Sequence, residues 1–275
     1  MQKTISPPIY DSAAQRNSAA EEFTQVWRYR DLIFQLVRRD VTSRYKRSIL
    51  GIAWTMLNPL GMMIILSIVF SQVFHTVVGY AVYVLSGIII WNFFSQTTSA
   101  AINSLVWGGD LFRRIYLPHS VFAISAVGTG LVNLMFALVP LFGVMLVIGV
   151  DIRPTVLIAP LAMLPVACFA LGIGLLISTI GIYFPDVVEM YHIVLTAWFY
   201  LTPIIYPIER LPENVRVLLA FNPLLYLVDL FRLPLYYGEL PSLNYWLGTL
   251  LISLAVLAIG WVAFTKKSNE FAYHV

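Results

Sequence analysis

Long hydrophobic runs alternate with short polar stretches over most of the chain, and six of these runs stand out. Each is close to or longer than the roughly 20 residues that an α-helix needs to cross a hydrocarbon core of about 30 Å. The pattern therefore predicts an all-α integral membrane protein with six transmembrane helices. These helices are placed at residues 49–74, 80–105, 119–149, 155–181, 187–206 and 243–264.

A basic segment at residues 30–47 precedes the first run. Apolar residues recur in it at four-residue spacing, and most of its Lys and Arg side chains fall on other faces of the same helix. Such a helix suits the headgroup plane of a membrane. The segment is either an interfacial amphipathic helix with a docking role or a flank that only sets orientation. The repeating apolar residues are Ile33, Val37, Val41 and Tyr45.

The distribution of positive charge predicts the orientation of the chain. Most of the 17 Lys and Arg residues lie near the N-terminus, in the loop after the second run and at the C-terminus. Cytoplasmic loops are enriched in Lys and Arg, so both termini are predicted to be cytoplasmic. The chain then divides into a cytoplasmic tail (1–29), the interfacial helix (30–47), a six-helix transmembrane domain (48–265) and a cytoplasmic C-terminus (266–275).

The loop at 107–119 is cytoplasmic in this topology. Its composition is more typical of a short folded element than of a bare linker. Asp110 can cap a short helix there, because a carboxylate suits a helix N-terminus. Arg113 and Arg114 follow in the same short helix. They either contact a cytoplasmic partner or only set the topology.

The segment at 203–242 holds apolar stretches that are too short to cross a bilayer and are interrupted by prolines. Asp229 and Arg232 are three residues apart and therefore share a helical face. Short apolar helices of this kind are candidates for re-entrant elements, which persist at membrane depth only under a cover of protein or beside water. The two charges would then seal or gate a cavity. The alternative is an ordinary extracytoplasmic loop with an incidental ion pair.

The composition excludes several other classes of protein. The chain is 59% hydrophobic and 11% charged, against about 45–50% and about 25% in soluble domains. The net charge is +3, and the basic residues lie mostly at membrane flanks, so this charge does not indicate a nucleic-acid partner. Cys168 has no second cysteine to pair with, and the histidines lack metal-ligand spacing. No GxSxG motif occurs. No GxxxxGK[ST] motif occurs either, and the hydrophobic runs contain almost no ionisable residues, so the energy for any vectorial work would have to come from another subunit.

Several motifs occur in order along residues 30–275. An Arg-Tyr-Lys-x-Ser-x-Leu-Gly-x-x-Trp core runs from Arg44 to Trp54, and Asn58-Pro59 follows it. The later motifs are FRRIYLPHSVF at 112–122, GIYFPDV at 181–187, LTPIIYP at 201–207 and FNPLLYLVDLFR at 221–232. Together they resemble ABC-2 type permeases that export O-antigen, capsular polysaccharide or teichoic acid. Pro185 departs from this family pattern, because many relatives carry Arg there.

The resemblance implies a transport subunit rather than an enzyme. Two copies of this chain would pair with two copies of a separate ATPase, which would hold ATP and Mg, and this chain would carry no cofactor. The substrate would be a lipid-linked polysaccharide that crosses the inner membrane from the cytoplasmic side between the two copies, within membrane lipids. Asp229 and Arg232 would belong to an extracytoplasmic gate. The residues expected to couple to the ATPase are Arg38, Arg39, Arg44, Asp110, Arg113 and Arg114.

Aromatic residues offer a sugar polymer a weakly binding path, because ring faces stack on sugars without tight contacts. Aromatic residues at helical spacing are also ordinary packing residues, so both interpretations stay open. The candidates for a channel lining are Trp91, Phe93, Phe94, Trp198, Phe199 and Tyr200.

Two rival functions remain at this point. The first is another ABC-2 exporter, of drugs or small lipids, which would share the topology. The second is a membrane enzyme acting on polyprenyl-linked sugars, which would need a pair of carboxylates or histidines near a membrane surface. Asp186 and Glu189 form the best such pair, and we expect their role to be structural.

Overall fold

A computed structural model of the chain describes residues 18–46, 51, 53–107 and 118–274. These residues form α-helices joined by short turns, and no β-strand occurs among them. Two 3₁₀ helices (Pro154–Ile158 and Ile208–Arg210) and a π-helical turn (Leu233–Tyr237) complete the structure. The α-helices are α1 (Ser18–Arg28), α2 (Arg30–Tyr45), α3 (Ala53–Phe70), α4 (Tyr80–Val106), α5 (Ser120–Ile148), α6 (Ala159–Tyr183), α7 (Asp186–Tyr200), α8 (Glu213–Leu219), α9 (Pro223–Arg232) and α10 (Leu243–His274).

Helices occupy all six of the predicted hydrophobic runs. Four of them are long and apolar enough to cross a membrane, namely α3, α5, α6 with its leading 3₁₀ turn, and α10 as far as Ser268. A fifth candidate is α8 with the helical stretch Pro223–Tyr237, which meet at an angle of 92°. The chain is therefore a helical multi-pass membrane protein with four to five candidate spans, and the count of six stays a prediction.

Two runs differ from a simple span. Helix α4 is long, but Asn92, Gln96 and several Ser and Thr residues make its composition less apolar. Helix α7 has only 15 residues, which is shorter than the predicted run at 187–206, because the chain turns after Tyr200. The last run is longer than predicted, since α10 continues past the charged Lys266 and Lys267.

Helix α4 lies at the centre of the bundle. It packs against α3, α5, α6, α7 and α9, and its buried residues cover every face of the helix. A helix that is buried all round belongs to the core of a larger assembly of helices. Side chains such as Val84, Ile90, Phe94 and Leu105 are fully inaccessible. Residues on every face of α4 are thus positioned by contacts with neighbouring helices.

Helices α6 and α10 cross with their backbones in close approach. A Cβ atom added at Gly172 would lie 2.7 Å from the backbone of Val256 and from the Leu257 nitrogen, and one at Gly260 would meet the backbone of Gly172. Small residues allow such close approach of backbones in membrane helices, where van der Waals packing replaces the hydrophobic drive of water. Gly172 and Gly260 therefore set the distance between these two helices.

The two N-terminal helices pack on one end of the bundle. Helix α2 lies along α5, with Leu36 buried and Val37 against Gly128, where an added Cβ would come within 2.8 Å of Val37 Cγ2. Helix α1 contacts α5 and α10, and the Phe23 ring meets the Trp261 ring edge-on at 6.3 Å. The predicted apolar stripe of α2 is thus partly covered by α5, which leaves its basic side chains on the outside.

Candidate functional site

Arg232, at the end of α9, is buried with 1% of its surface exposed. Its guanidinium donates hydrogen bonds to three backbone carbonyls, those of Pro203 at 3.1 Å, Tyr83 at 3.3 Å and Ile204 at 3.5 Å. It also lies over the Tyr83 ring, 3.8 Å from the ring centroid. An arginine has five N–H donors in a rigid fork, so a single side chain can hold α4, the turn at 203–204 and α9 together.

A buried charge needs a counter-charge or a full set of hydrogen bonds, because desolvation of an ion is costly. Asp229 supplies the counter-charge, with its Oδ1 3.6 Å from Arg232 Nη1. Gly87 makes room for the guanidinium, since a Cβ there would lie 2.6 Å from Arg232 Nη2. The structure thus brings Asp229 and Arg232 together as an ion pair at the junction of α4 and α9. Their role as a gate stays a prediction.

Asn222 connects the same junction to the end of α7. Its Oδ1 accepts hydrogen bonds from the Leu224 amide at 3.1 Å and from Trp198 Nε1 at 2.8 Å. Its Nδ2 donates to the Leu201 carbonyl at 3.1 Å and to Thr202 Oγ1 at 3.0 Å. Asn222 therefore caps α9 and fixes the turn after α7. Asn222 was not among the residues predicted from sequence, although Asn followed by Pro at the head of an apolar run is a recognised helix start.

The candidate channel aromatics form a packed cluster between α4, α6 and α7. Phe94 is fully buried, and its ring lies 5.3 Å from Trp198 and 5.6 Å from Phe169. Trp91 is buried as well and meets Phe199 edge-on at 5.4 Å. Rings at these separations pack favourably with one another. Helix packing accounts for these four candidates without a substrate.

The other two aromatic candidates are placed differently. Phe93 is buried and lines the groove described below, whereas Tyr200 is exposed at the end of α7. The channel assignment of all six residues stays a prediction.

The residues predicted to couple to an ATPase are only partly within the described structure. Arg38 and Arg39 are exposed on α2, and Arg39 Nη2 lies 2.9 Å from Asp40 Oδ1. The Arg44 side chain, Asp110, Arg113 and Arg114 lie outside the described residues. Surface ion pairs of this kind contribute little to stability, so the Arg39–Asp40 pair adds little to the folded state.

Asp186 and Glu189, the pair considered for an enzyme, lie in the first turn of α7 and are both exposed. Carboxylates are favourable at a helix N-terminus, where the backbone N–H groups carry partial positive charge. This placement accounts for the pair by helix electrostatics alone. No group of three or more His, Cys, Asp or Glu residues in the described parts of the chain could hold a metal ion.

Glu22 on α1 is buried, with 7% of its surface exposed. Its Oε1 accepts a hydrogen bond of 3.4 Å from the backbone nitrogen of Ser120, the first residue of α5. A carboxylate at this position interacts favourably with the positive end of the helix dipole. Burial nevertheless raises the pKa of Glu22 above its ordinary value of 4.5, because the desolvation of the charged form outweighs the hydrogen bonds it receives.

This raised pKa predicts that α1 docks more tightly at acidic pH. Between pH 4.5 and the raised value the folded state holds a proton that the unfolded state has lost. The contribution of Glu22 to stability is therefore greatest below pH 4.5 and falls as pH rises through the folded-state pKa. The expected result is a thermal midpoint that decreases across this window, with a smaller decrease in Glu22→Gln. Glu213→Gln, an exposed carboxylate on α8, is the control, and equal pH profiles for Glu22→Gln and wild type would contradict the prediction.

A polar groove runs between α3, α4 and α5, and we refer to it as the amide groove. It consists of two cavities of about 330 and 400 Å³ that share Gln96, Thr97, Gly130 and Asn133. One end reaches Arg39, Asp40 and Ser43 of α2, and the other end reaches Ile89 and Ala137 in the bundle. The groove was not predicted from sequence, because its polar residues come from separate helices. The side chains that give it its polarity are Asn58, Asn92, Gln96, Thr97, Ser104, Ser125, Thr129 and Asn133.

Apolar helices of membrane-spanning length surround a polar groove, and a buried arginine joins α9 to α4 beside it. The chain belongs to the ABC-2 type transporter family, whose model matches residues 31–236.

Individual relatives are permeases of polysaccharide export. The O-antigen export system permease protein RfbA of Myxococcus xanthus is 29% identical over 90% of this chain and 96% of its own length. The polysialic acid transport protein KpsM of Escherichia coli is 26% identical over 85% of this chain and 92% of its own. The capsule polysaccharide export inner-membrane protein CtrC of Neisseria meningitidis is 24% identical over 86% of this chain and 91% of its own length. The similarity to polysaccharide permeases thus extends over nearly the full length of these relatives.

Proposed function

We propose that this chain is the transmembrane permease subunit of an ABC exporter that moves a lipid-linked, O-antigen-like polysaccharide from the cytoplasmic side across the inner membrane. The observation that carries the proposal is its similarity, over 85–90% of its length, to relatives named as O-antigen and polysialic acid permeases. Energy would come from a separate ATPase that binds ATP and Mg. The chain itself would perform no chemical step.

The topology of the proposal has six spans with both termini in the cytoplasm. Helix α2 would lie in the cytoplasmic headgroup plane, and its exposed Arg38 and Arg39 support this placement because anionic lipids attract basic side chains. The bent pair α8 and α9 would be a re-entrant element on the opposite side. Its cover is provided by α4, α6 and α10, against which α9 packs.

A second copy of the chain would complete the transport path. Helices α3 and α7 expose apolar side chains such as Ile65 and Ile68 on α3 and Ile193 on α7. ATP binding would close the partner ATPases and move α2 and the loop at 110–118. The movement would shift α3 and α7 and open a path across the dimer.

Co-expression with the neighbouring ATPase gene tests the proposal. We expect the tagged chain to purify as a stoichiometric complex that hydrolyses ATP, and we expect export of surface polysaccharide to require the gene for this chain. Arg113→Ala with Arg114→Ala should reduce ATP turnover several-fold, whereas Arg216→Ala, an exposed arginine on α8, should leave it unchanged. A chain that purifies without a partner and does not affect ATP turnover would refute the transporter assignment.

A further inference from the structure

We propose that the amide groove binds the hydroxyl groups of the leading sugar of the transported lipid-linked glycan. This inference rests on the proposed function and adds to it a site and a mode of recognition.

The position of the groove is unusual for polar side chains. Asn92 lies about 20 Å from the end of α4 at Val106, at 1.5 Å per helical residue, and Asn58 and Asn133 line the same cavity from α3 and α5. Polar residues at such depth are costly in a bilayer, and they mark cavities and substrate paths. The groove also extends to α2, so it connects the middle of the bundle with the end where α2 lies.

Two buried hydroxyls in the groove lack a hydrogen-bond partner. Thr97 and Thr129 are 2% and 6% exposed, and neither Oγ1 atom is bonded to any described group. A threonine in a helix ordinarily donates to the carbonyl four residues earlier. Thr98, the neighbour of Thr97, donates such a hydrogen bond to the Phe94 carbonyl at 2.9 Å. Buried polar atoms without partners are rare, and the proposed sugar would supply the missing partner once the side chains that close both oxygens off from the groove move aside. Other helical threonines that bond in this way include Thr42, Thr179, Thr196, Thr249 and Thr265.

The chemistry of the lining favours a neutral polyhydroxyl group. Asn and Gln side chains offer both donors and acceptors, as sugar hydroxyls require. The charged residues of the lining, Arg39 and Asp40, neutralise each other at 2.9 Å. A phosphate would therefore meet no net positive charge among the lining residues that the structure describes. Trp54, which is 56% exposed at the edge of the groove, offers an aromatic face, and both cavities fall in the range of roughly 300–1,000 Å³ typical of small-molecule sites.

The first test replaces the two hydroxyls with methyl groups. Thr97→Val with Thr129→Val keeps the shape of the side chains and removes two unsatisfied polar atoms, so the thermal midpoint should be unchanged or higher. Export of surface polysaccharide should nevertheless fall at least 10-fold. Thr249→Val is the matched control, because its buried hydroxyl bonds to the Tyr245 carbonyl at 2.8 Å on α10, away from the groove. Wild-type export by the double variant would overturn the proposal.

The second test measures occupancy directly and leaves both hydroxyls intact. A single cysteine is placed in the groove by Ser104→Cys in a Cys168→Ser background, and its maleimide labelling is followed in the permease–ATPase complex in nanodiscs. Digalactosyl diacylglycerol should slow labelling several-fold, whereas phosphatidylglycerol should not. Equal rates in both lipids would count against the groove, and slowing by phosphatidylglycerol alone would indicate an anionic headgroup site instead. Failure of either test while the complex still exports polysaccharide would refute the groove without refuting the proposed function.

Discussion

Replacing Arg232 with methionine is expected to lower the yield of folded protein sharply and to abolish export. Methionine fills much of the same volume but removes one hydrogen-bond donor from each of the carbonyls of Tyr83, Pro203 and Ile204 and leaves Asp229 without its counter-charge. Removing one partner of a buried ion pair typically costs about 3–5 kcal/mol. The measurement is the thermal midpoint of the detergent-purified protein, together with the amount of surface polysaccharide in cells.

Two further variants separate the charge of Arg232 from its geometry. Arg232→Lys keeps the charge but replaces the planar fork with a single ammonium group, so we expect an intermediate loss. Arg216→Met is the matched control, because Arg216 is exposed and bonds one carbonyl, that of Leu211, at 2.9 Å. The interpretation of Arg232 as the central tie between α4 and α9 would be wrong if Arg232→Met and Arg216→Met had the same thermal midpoint.

Replacing Gly260 with leucine is expected to force α6 and α10 apart. The added side chain would meet the backbone of Gly172, which cannot rotate away as a flexible side chain can. Overpacking of a well-packed core typically costs about 1–3 kcal/mol, and a backbone obstacle places the expected loss at or above the upper end of that range. Fluorescence-detected size-exclusion chromatography after heating measures the fraction that stays folded.

Helix α10 supplies its own control for the Gly260 substitution. Gly248 lies on the same helix, and a Cβ added there has no atom within 4 Å. Gly248→Leu changes hydropathy and helix propensity in the same way, so its thermal midpoint should remain close to that of the wild type. Equal losses for the two substitutions would show that leucine acts through the helix itself rather than through the crossing with Gly172.

The helices of the bundle follow closely from the hydropathy pattern. The second and third predicted runs, 80–105 and 119–149, match α4 (Tyr80–Val106) and α5 (Ser120–Ile148) within one residue at each end. Gly149 ends α5 in the left-handed region at φ +79°, a conformation that favours glycine at a helix end. Local sequence suffices here because both the apolar run and its terminating residue are adjacent in the chain.

The fifth hydrophobic run shows that the local sequence pattern does not predict where its helix ends. Apolar residues continue to Tyr206, yet α7 ends at Tyr200. The turn that follows is stabilised by Asn222, which binds the Leu201 carbonyl, and by Arg232, which binds the carbonyls of Pro203 and Ile204. These partners are about twenty to thirty residues away in the chain, so no window of sequence around the turn contains the information that ends the helix.

The sequence by itself determined that this protein is helical, lies in a membrane and belongs with ABC-2 permeases, because hydropathy and motif order are properties of a linear chain. Only the tertiary structure decided what its polar residues do. Asn58, Asn92 and Asn133 lie on three helices and look unrelated in sequence, but they line one groove. Likewise, Arg232 meets Tyr83 and Gly172 meets Gly260 only after the chain has folded. The physical reason is that helix packing sets which faces meet, and distances between faces depend on side chains that are far apart in the chain.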